Sequence, residues 1–226
     1  MRLCMFHPEG HPLERGWVGR IDGDRVVQLA SQTLQSFFTG GGSAREHAEY
    51  PLAEVVVLAP VLHPHAIRVF DEQRVFAFAN PAAVVGPGST VAASGSLVVR
   101  VRIAAVVGGE EEIAGFSVFG EWRDPSLSPP KDRDFALGLG PVVVTPDELD
   151  PEGARGVLRV DGEERLPGAF SGFDWSAARD FAAAGTVLRP GDLLAGPALG
   201  EVEASSPSAV ELEVDGIGVL RQRVAG

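Results

Sequence analysis

Two arginines, Arg100 and Arg102, stand two residues apart within Leu97 to Val107, alternating with Val99, Val101 and Ile103. Alternate residues of a strand share a face, so this spacing sends both guanidinium groups one way and the aliphatic side chains the other. A guanidinium stays charged at any ordinary pH and presents a planar fork of donors that matches a carboxylate. The pair can therefore hold an anion, or it can cover an exposed sheet face and pair with local acids. It cannot ligate a cation. Glu110-Glu111-Glu112 offers carboxylates to a divalent metal, but three acids between two strands more often form a solvated turn. His63-Pro64-His65 has the look of a metal tract, yet His-x-His ahead of a strand is more often unbound. His7, His11 and His47 sit in loop-like contexts and receive no role. Cys4 lies in an apolar run and reads as a packing residue rather than a nucleophile.

The elements that must position these residues are mostly strands. Gly 28 and Pro 17 in 226 residues point to many turns and short segments, and valine-rich runs suit a pleated surface. Residues 1 to about 30 read as a hairpin-rich unit: Arg2 to Phe6, then Trp17 to Ile21, then a turn at Asp22-Gly23-Asp24 and a return through Arg25 to Leu29. Around Gly40-Gly41-Gly42 a short helix is expected on either side. Val55 to Leu58 reads as a buried strand from its unbroken apolar run. Beyond Pro60 come strands at Ala66–Phe70, Val75–Phe78, Leu97–Val107, Phe116–Phe119, Pro141–Val144, Val157–Val160, Leu193–Ala195 and Val210–Val214. Asp161-Gly162 marks a hairpin turn, and Pro190-Gly191 and Asp215-Gly216 mark turns. The clearest helix runs from Asp174 to Ala184, with Asp174 or Ser176 as its N-cap and Gly185 as its stop. This organisation suggests a small N-terminal subdomain and linker over 1–58 and a main domain over 59–226.

Bulk properties narrow the function classes. The formal net charge is -12 and no run of lysine or arginine reaches five, which argues against a nucleic-acid partner. No apolar stretch reaches 18 residues, so no membrane span or membrane partner is expected. A single cysteine forbids an intrachain disulfide, and the opening MRLCMFHPEGH is too soon interrupted for a signal peptide. A cytoplasmic location is the expectation that follows.

The order of short motifs from about residue 60 onward resembles the fumarylacetoacetate hydrolase family. Pro81 to Gly88 looks like the family's segment ending in valine-glycine-proline-glycine, and Arg102 to Gly108 like its core strand. Gly115-Phe116-Ser117-Val118 resembles "GYTV", and Lys131 to Phe135 followed by Leu139 to Thr145 resembles "KSFD…LGPWLVT". Val160 to Glu163 matches "VNGE", Leu188 to Asp192 matches "LxPGD", and Gly216 to Arg221 matches "GIGTLRN". Each motif alone is weak, but seven in order carry the resemblance. It implies a mostly β (α+β) fold, the mixed-sheet β-roll with a small N-terminal β subdomain, and a homodimer.

By resemblance the activity would be hydrolysis, decarboxylation or tautomerisation of small oxo- or dioxo-acids. The family's chemistry uses a divalent cation held by a Glu-x-Glu pair and a later carboxylate, with a lid histidine serving the water. Here the Glu-x-Glu positions correspond to Arg100 and Arg102, and the third to Glu121, preceded by Gly120. The "GxNYxxH" lid segment is missing, because the chain runs from Phe70 through Asp71-Glu72-Gln73 into the next strand. The lysine of "FxKP" falls at Ala79, and "GTPxG" has become Gly196-Pro197-Ala198-Leu199-Gly200. Arg123, Asp124, Lys131 and Asp134 survive. The resemblance thus marks Lys131, Glu121 and Asp134 as candidate catalytic residues and Arg100, Arg102, Arg123 and Asp124 as candidate ligand-binding residues, with no metal and no cofactor expected. Three readings stay open at this point. One is an enzyme that uses Arg100, Arg102 and Lys131 as electrophiles in place of the metal. The second is a catalytically inactive relative that binds a small anionic ligand or a partner subunit. The third is a metal enzyme with Glu110, Glu112 and Glu121 as ligands.

Overall fold

The structure, a computed structural model, describes residues 1–93 and 95–226. Its elements in chain order are β1 (Arg2–Pro8), β2 (Trp17–Asp22), β3 (Arg25–Leu29), α1 (Leu34–Thr39), β4 (Glu46–Pro51), β5 (Val55–Leu58), β6 (Ile67–Glu72), β7 (Val75–Ala79), β8 (Val84–Val85) and β9 (Thr90–Ala92). The long hairpin β10 (Ser96–Val107) and β11 (Ile113–Arg123) follows, then β12 (Leu137–Val144), β13 (Arg155–Val160), β14 (Glu163–Ala169) and α2 (Trp175–Ala183). The chain ends with β15 (Leu193–Ala195), β16 (Gly200–Ser205), β17 (Ser208–Val214) and β18 (Gly218–Ala225).

Two sheets carry the fold. The larger runs in the order β4-β3-β2-β1-β12-β11-β10-β15-β6-β7, with β16 also on β10, β5 on β1 and β8 on β12. The smaller runs β14-β13-β17-β18-β9. Most neighbours are antiparallel, but β8 on β12, β15 on β6 and β9 on β18 are parallel, so the sheets are mixed as expected. The period of two in β10 decides how they pack. Val99, Val101 and Ile103 face a core shared with Leu158, Leu212 and Leu220 of the smaller sheet. Ala104 and Val106 face a second core with Leu3, Met5, Ile67 and Phe119. Gly120 of β11 sits where the sheets meet, and a Cβ there would come within 2.6 Å of Leu212 Cδ1. The small residue permits that close approach.

Several local expectations hold. Asp174 caps α2 by accepting from the Ala177 amide, and Gly185 follows with φ of 73°. Asp161 and Gly162 both take positive φ in the two-residue β13–β14 turn. Cys4 is buried, and burial pushes its thiol up to about 12, so it packs.

Other expectations are corrected. The stretch after Gly42 forms β4 rather than a helix. It pairs with β3, and Tyr50 packs its ring against Phe6 at 5.5 Å and Trp17 at 5.9 Å. Tertiary pairing and one aromatic anchor outweigh the weak local preference of Glu46-His47-Ala48-Glu49. Strand β5 forms, but it is not buried, and Val56 is exposed. It adds to β1 only over Met5–Pro8, past the point where β12 pairs Arg2 and Leu3, which leaves it at the margin of the sheet. No described helix is long and apolar enough to cross a membrane.

Candidate functional site

Strand β10 brings Arg100 and Arg102 out on one face, and β11 runs antiparallel to it with Glu121 directly opposite Arg100. Cross-strand neighbours at this spacing are within reach of long side chains. Arg102 turns toward Glu121: its Nε donates to Glu121 Oε2 at 2.9 Å, and its Nη2 lies 2.8 Å from the same oxygen. Nη1 donates to the carbonyls of Phe70 and Gly196, each at 2.9 Å. Nη2 also donates to Asp71 Oδ1 at 2.8 Å. A guanidinium has five N–H groups; four donate hydrogen bonds here, and Nη2 adds a close ion-pair contact with Glu121. Arg102 is 0% exposed. A charge so placed would be costly without Glu121, which is itself buried.

Around this centre the charges form a network. Arg100 donates from Nε to Glu201 Oε2 at 2.8 Å, and its Nη1 stands 4.0 Å from Glu121 Oε2. Arg133 Nη1 stands 4.0 Å from Glu121 Oε1. Arg133 also reaches Asp132, and Arg123 donates to Asp132 Oδ2 from Nη2 at 2.6 Å and from Nε at 3.2 Å. Four arginines thus meet four carboxylates. Glu121 and Asp132 are buried, whereas the side chains of Asp71 and Glu201 are 62% and 54% exposed.

The field of the arginines acts on these acids. For Asp71, partial burial alone would raise the pKa, but the Arg102 hydrogen bond and the charges of Arg102, Arg100 and Arg133 outweigh it and lower the value. For Asp132, desolvation is again the largest single influence and works upward. The hydrogen bond from Arg123 and the charge and hydrogen bond of Arg133 overcome it, so the carboxyl is held below its usual range.

The structure brings together Arg100, Arg102 and Glu121, and joins Arg123 to them through Asp132. It does not bring Lys131 to the arginines. Lys131 is 69% exposed and pairs with Asp134 at 3.0 Å, three residues on. Lys131, Asp134 and Asp124 line a separate cleft of about 350 Å³ with Thr90 and Leu127. Asp124 there accepts from the amide and hydroxyl of Ser126, as a turn residue does. Glu110, Glu112 and Glu121 do not converge. Glu112 pairs with Arg179 near the β10–β11 turn, while Glu121 lies eight residues beyond Ile113, about 27 Å along the strand. Among the described residues, no group of three or more His, Cys, Asp or Glu side chains is placed to hold a metal ion.

Sequence reasoning missed Asp71, Asp132, Arg133 and Glu201. The alternation Lys131-Asp132-Arg133-Asp134 carried a signal for two of them, since opposite charges in a tight turn pair locally. Asp71 and Glu201 carried none, because they meet their arginines across 31 and 101 residues. β6 passes into β7 through Gln73-Arg74 alone, and Gln73 fastens this hairpin to α2 by accepting from the Asp174 amide and donating to its carbonyl.

Comparison with known proteins bears on this arrangement. Residues 63–225 match the model of the fumarylacetoacetate (FAA) hydrolase C-terminal domain. No curated protein matches the chain significantly in sequence. Among solved structures, maleylpyruvate hydrolase from Sphingobium sp. SYK-6 superposes with a TM-score of 0.83 at 19% identity, covering 100% of this chain and 99% of that one. The 5-carboxymethyl-2-hydroxymuconate delta-isomerase from Mycobacterium smegmatis gives 0.82 at 20% identity, with the same coverage of 100% and 99%. A 2-keto-3-deoxy-D-arabinonate dehydratase complexed with magnesium and 2,5-dioxopentanoate gives 0.79 at 15% identity, again covering 100% and 99%. At these identities the likeness shows a shared fold.

Proposed function

The chain belongs to the fumarylacetoacetate hydrolase family, and within it we propose a binding role without metal-dependent turnover. On this reading the protein takes small carboxylate anions of the oxo-acid class and does not process them by divalent-cation chemistry. The observation that carries the reading is how Arg102 is engaged: it donates four hydrogen bonds, to Glu121, Asp71, Phe70 and Gly196, and its Nη2 also ion-pairs with Glu121. Two of the three positions that the family resemblance marks for metal ligands are guanidinium groups, and the third, Glu121, is engaged by one of them. The residues present therefore do not fit a divalent cation. A cation there would face Arg100 and Arg102 at short range, with one buried carboxylate to offset both.

The substrate class rests on the neighbours. Maleylpyruvate hydrolase has been solved with manganese(II) and pyruvate, and the dehydratase with 2,5-dioxopentanoate, both ligands being small oxo compounds. The short β6–β7 connection supports binding over turnover, since the hairpin from Ile67 to Ala79 carries no histidine where the resemblance places the family's lid. A homodimer and a cytoplasmic location belong to the same proposal, supported by the family resemblance and by the single buried cysteine.

Calorimetric titration with manganese and magnesium tests the reading, together with assays on oxaloacetate and maleylpyruvate. We expect no stoichiometric ion and no turnover above the uncatalysed rate. One tightly bound divalent ion per chain, or metal-stimulated turnover, would overturn it.

A further inference from the structure

We propose that Asp71 and Glu201 are stand-ins for a carboxylate ligand, and that Arg100 and Arg102 form an anion site closed by the chain's own acids. This deepens the binding role proposed above and rests on it. The network holds two kinds of acid. Glu121 and Asp132 have side chains only 3% exposed, and neither can leave its arginine without stranding a buried charge. Asp71 and Glu201 are more than half exposed, and an exposed carboxylate swings into water at little cost.

When those two side chains turn away, the Arg102 guanidinium stays in place. Arg102 is fixed by Glu121 and by the carbonyls of Phe70 and Gly196, so the N–H that Asp71 vacates keeps its direction. Arg100 frees Nε and Nη2, the donors now given to Glu201. Arg102 thus offers one N–H held in place, and Arg100 the Nε–Nη2 edge that matches a planar carboxylate; the pre-organised Arg102 spares the binding event part of its ordering cost. Arg100 and Arg102 are two residues apart on one strand face, about 7 Å by strand geometry. That spacing suits a short dicarboxylate with one end on each arginine. The influences that lower the pKa of Asp71 would likewise keep a bound carboxylate ionised.

Asp71 sits at the end of β6 on a hairpin that Gln73 fastens to α2, so its backbone stays put while its side chain can rotate. The geometry therefore has a strained-free exchange in reach: the internal carboxylate leaves, the external one enters, and the local charge balance of the arginines is kept.

The test uses the full chain, with succinate and malonate as probes, titrated calorimetrically at constant ionic strength into the wild type, Asp71→Asn, Glu201→Gln and the double variant. Glu163→Gln, a surface acid paired with Arg165, serves as the charge-matched control for the single variants, and Glu163→Gln with Glu49→Gln, a surface acid paired with Arg25, for the double variant. We expect weak dicarboxylate binding by the wild type and by the controls. The double variant should bind at least tenfold more tightly, and adding Arg100→Gln to it should remove the gain. A double variant that binds no better than the wild type would overturn the proposal, as would an equal gain for chloride. The binding proposal fails separately, through manganese uptake or turnover by the wild type, neither of which this titration measures.

Discussion

Arg102 is a cation that the fold supplies to itself. Its burial is tolerated because one carboxylate and two carbonyls were already pointed at the space it fills. The energetics of such pairs are asymmetric. Removing one partner strands the other, typically at about 3–5 kcal/mol, while replacing both by apolar groups of similar volume is often neutral. A double-mutant cycle therefore has a definite expected shape. Arg102→Met and Glu121→Leu should each lose about 3–5 kcal/mol in urea denaturation, and the two combined should recover most of that loss. Additive losses in the double variant would mean that the two side chains act independently of each other. Much of this centre was legible in the sequence. The alternation of Val99, Val101 and Ile103 with the arginines gave their common face, and the motif order pointed to Glu121. Asp71 and Glu201 were not legible, because what brings them to the arginines is sheet order, with β6 and β16 both reaching the β10 neighbourhood from distant parts of the chain.

At the scale of elements, the short turn over Lys131–Arg133 is tied to β11 by Asp132, which takes the Arg123 guanidinium while its backbone carbonyl accepts from the Asp124 amide. Because the folded pKa of Asp132 is depressed, its contribution has a definite sign. It is fully present above the unfolded carboxylate value of about 3.9 and is lost as pH falls through the lower folded value. Asp132→Asn should thus cost about 2 kcal/mol at pH 7, the scale of a hydrogen bond to a charged group. The gap between variant and wild type should narrow steadily below about pH 4. A gap that widens on acidification would reverse the assignment. Elements differed in legibility for physical reasons. β10 and β11 carry long apolar alternations that any half-buried strand must have. β14 and β16 carry Glu163-Glu164-Arg165 and Glu201-Val202-Glu203, and their outward side chains leave little apolar signal to read.

At the scale of the whole molecule, the question is whether residues 1–58 form a separable unit. The order of elements suggested a small N-terminal subdomain and linker over 1–58, and the family match begins only at residue 63. The packing runs across that line. β1 lies between β2 and β12 in the larger sheet. Leu3, Met5, Val18, Leu34 and Phe37 share a core with Ile67, Phe119, Leu139 and Val143. Arg2 donates from its two Nη atoms to the carbonyls of Gly216 and Ile217, fastening β1 to the turn before β18. Deleting residues 1–58 would bare the β12 edge and uncover apolar side chains worth roughly 1.5–3 kcal/mol each when buried. Against a total stability of about 5–15 kcal/mol for a domain, losing even five such partners removes most of the margin. The fragment 59–226 should therefore show no cooperative thermal transition by circular dichroism, or should aggregate through its open strand edge. Adding a synthetic 1–58 peptide should restore a transition if pairing with β12 is what the fragment lacks. A fragment that melts cooperatively within a few degrees of the full chain would instead make the N-terminal strands an independent domain resting on a self-sufficient core.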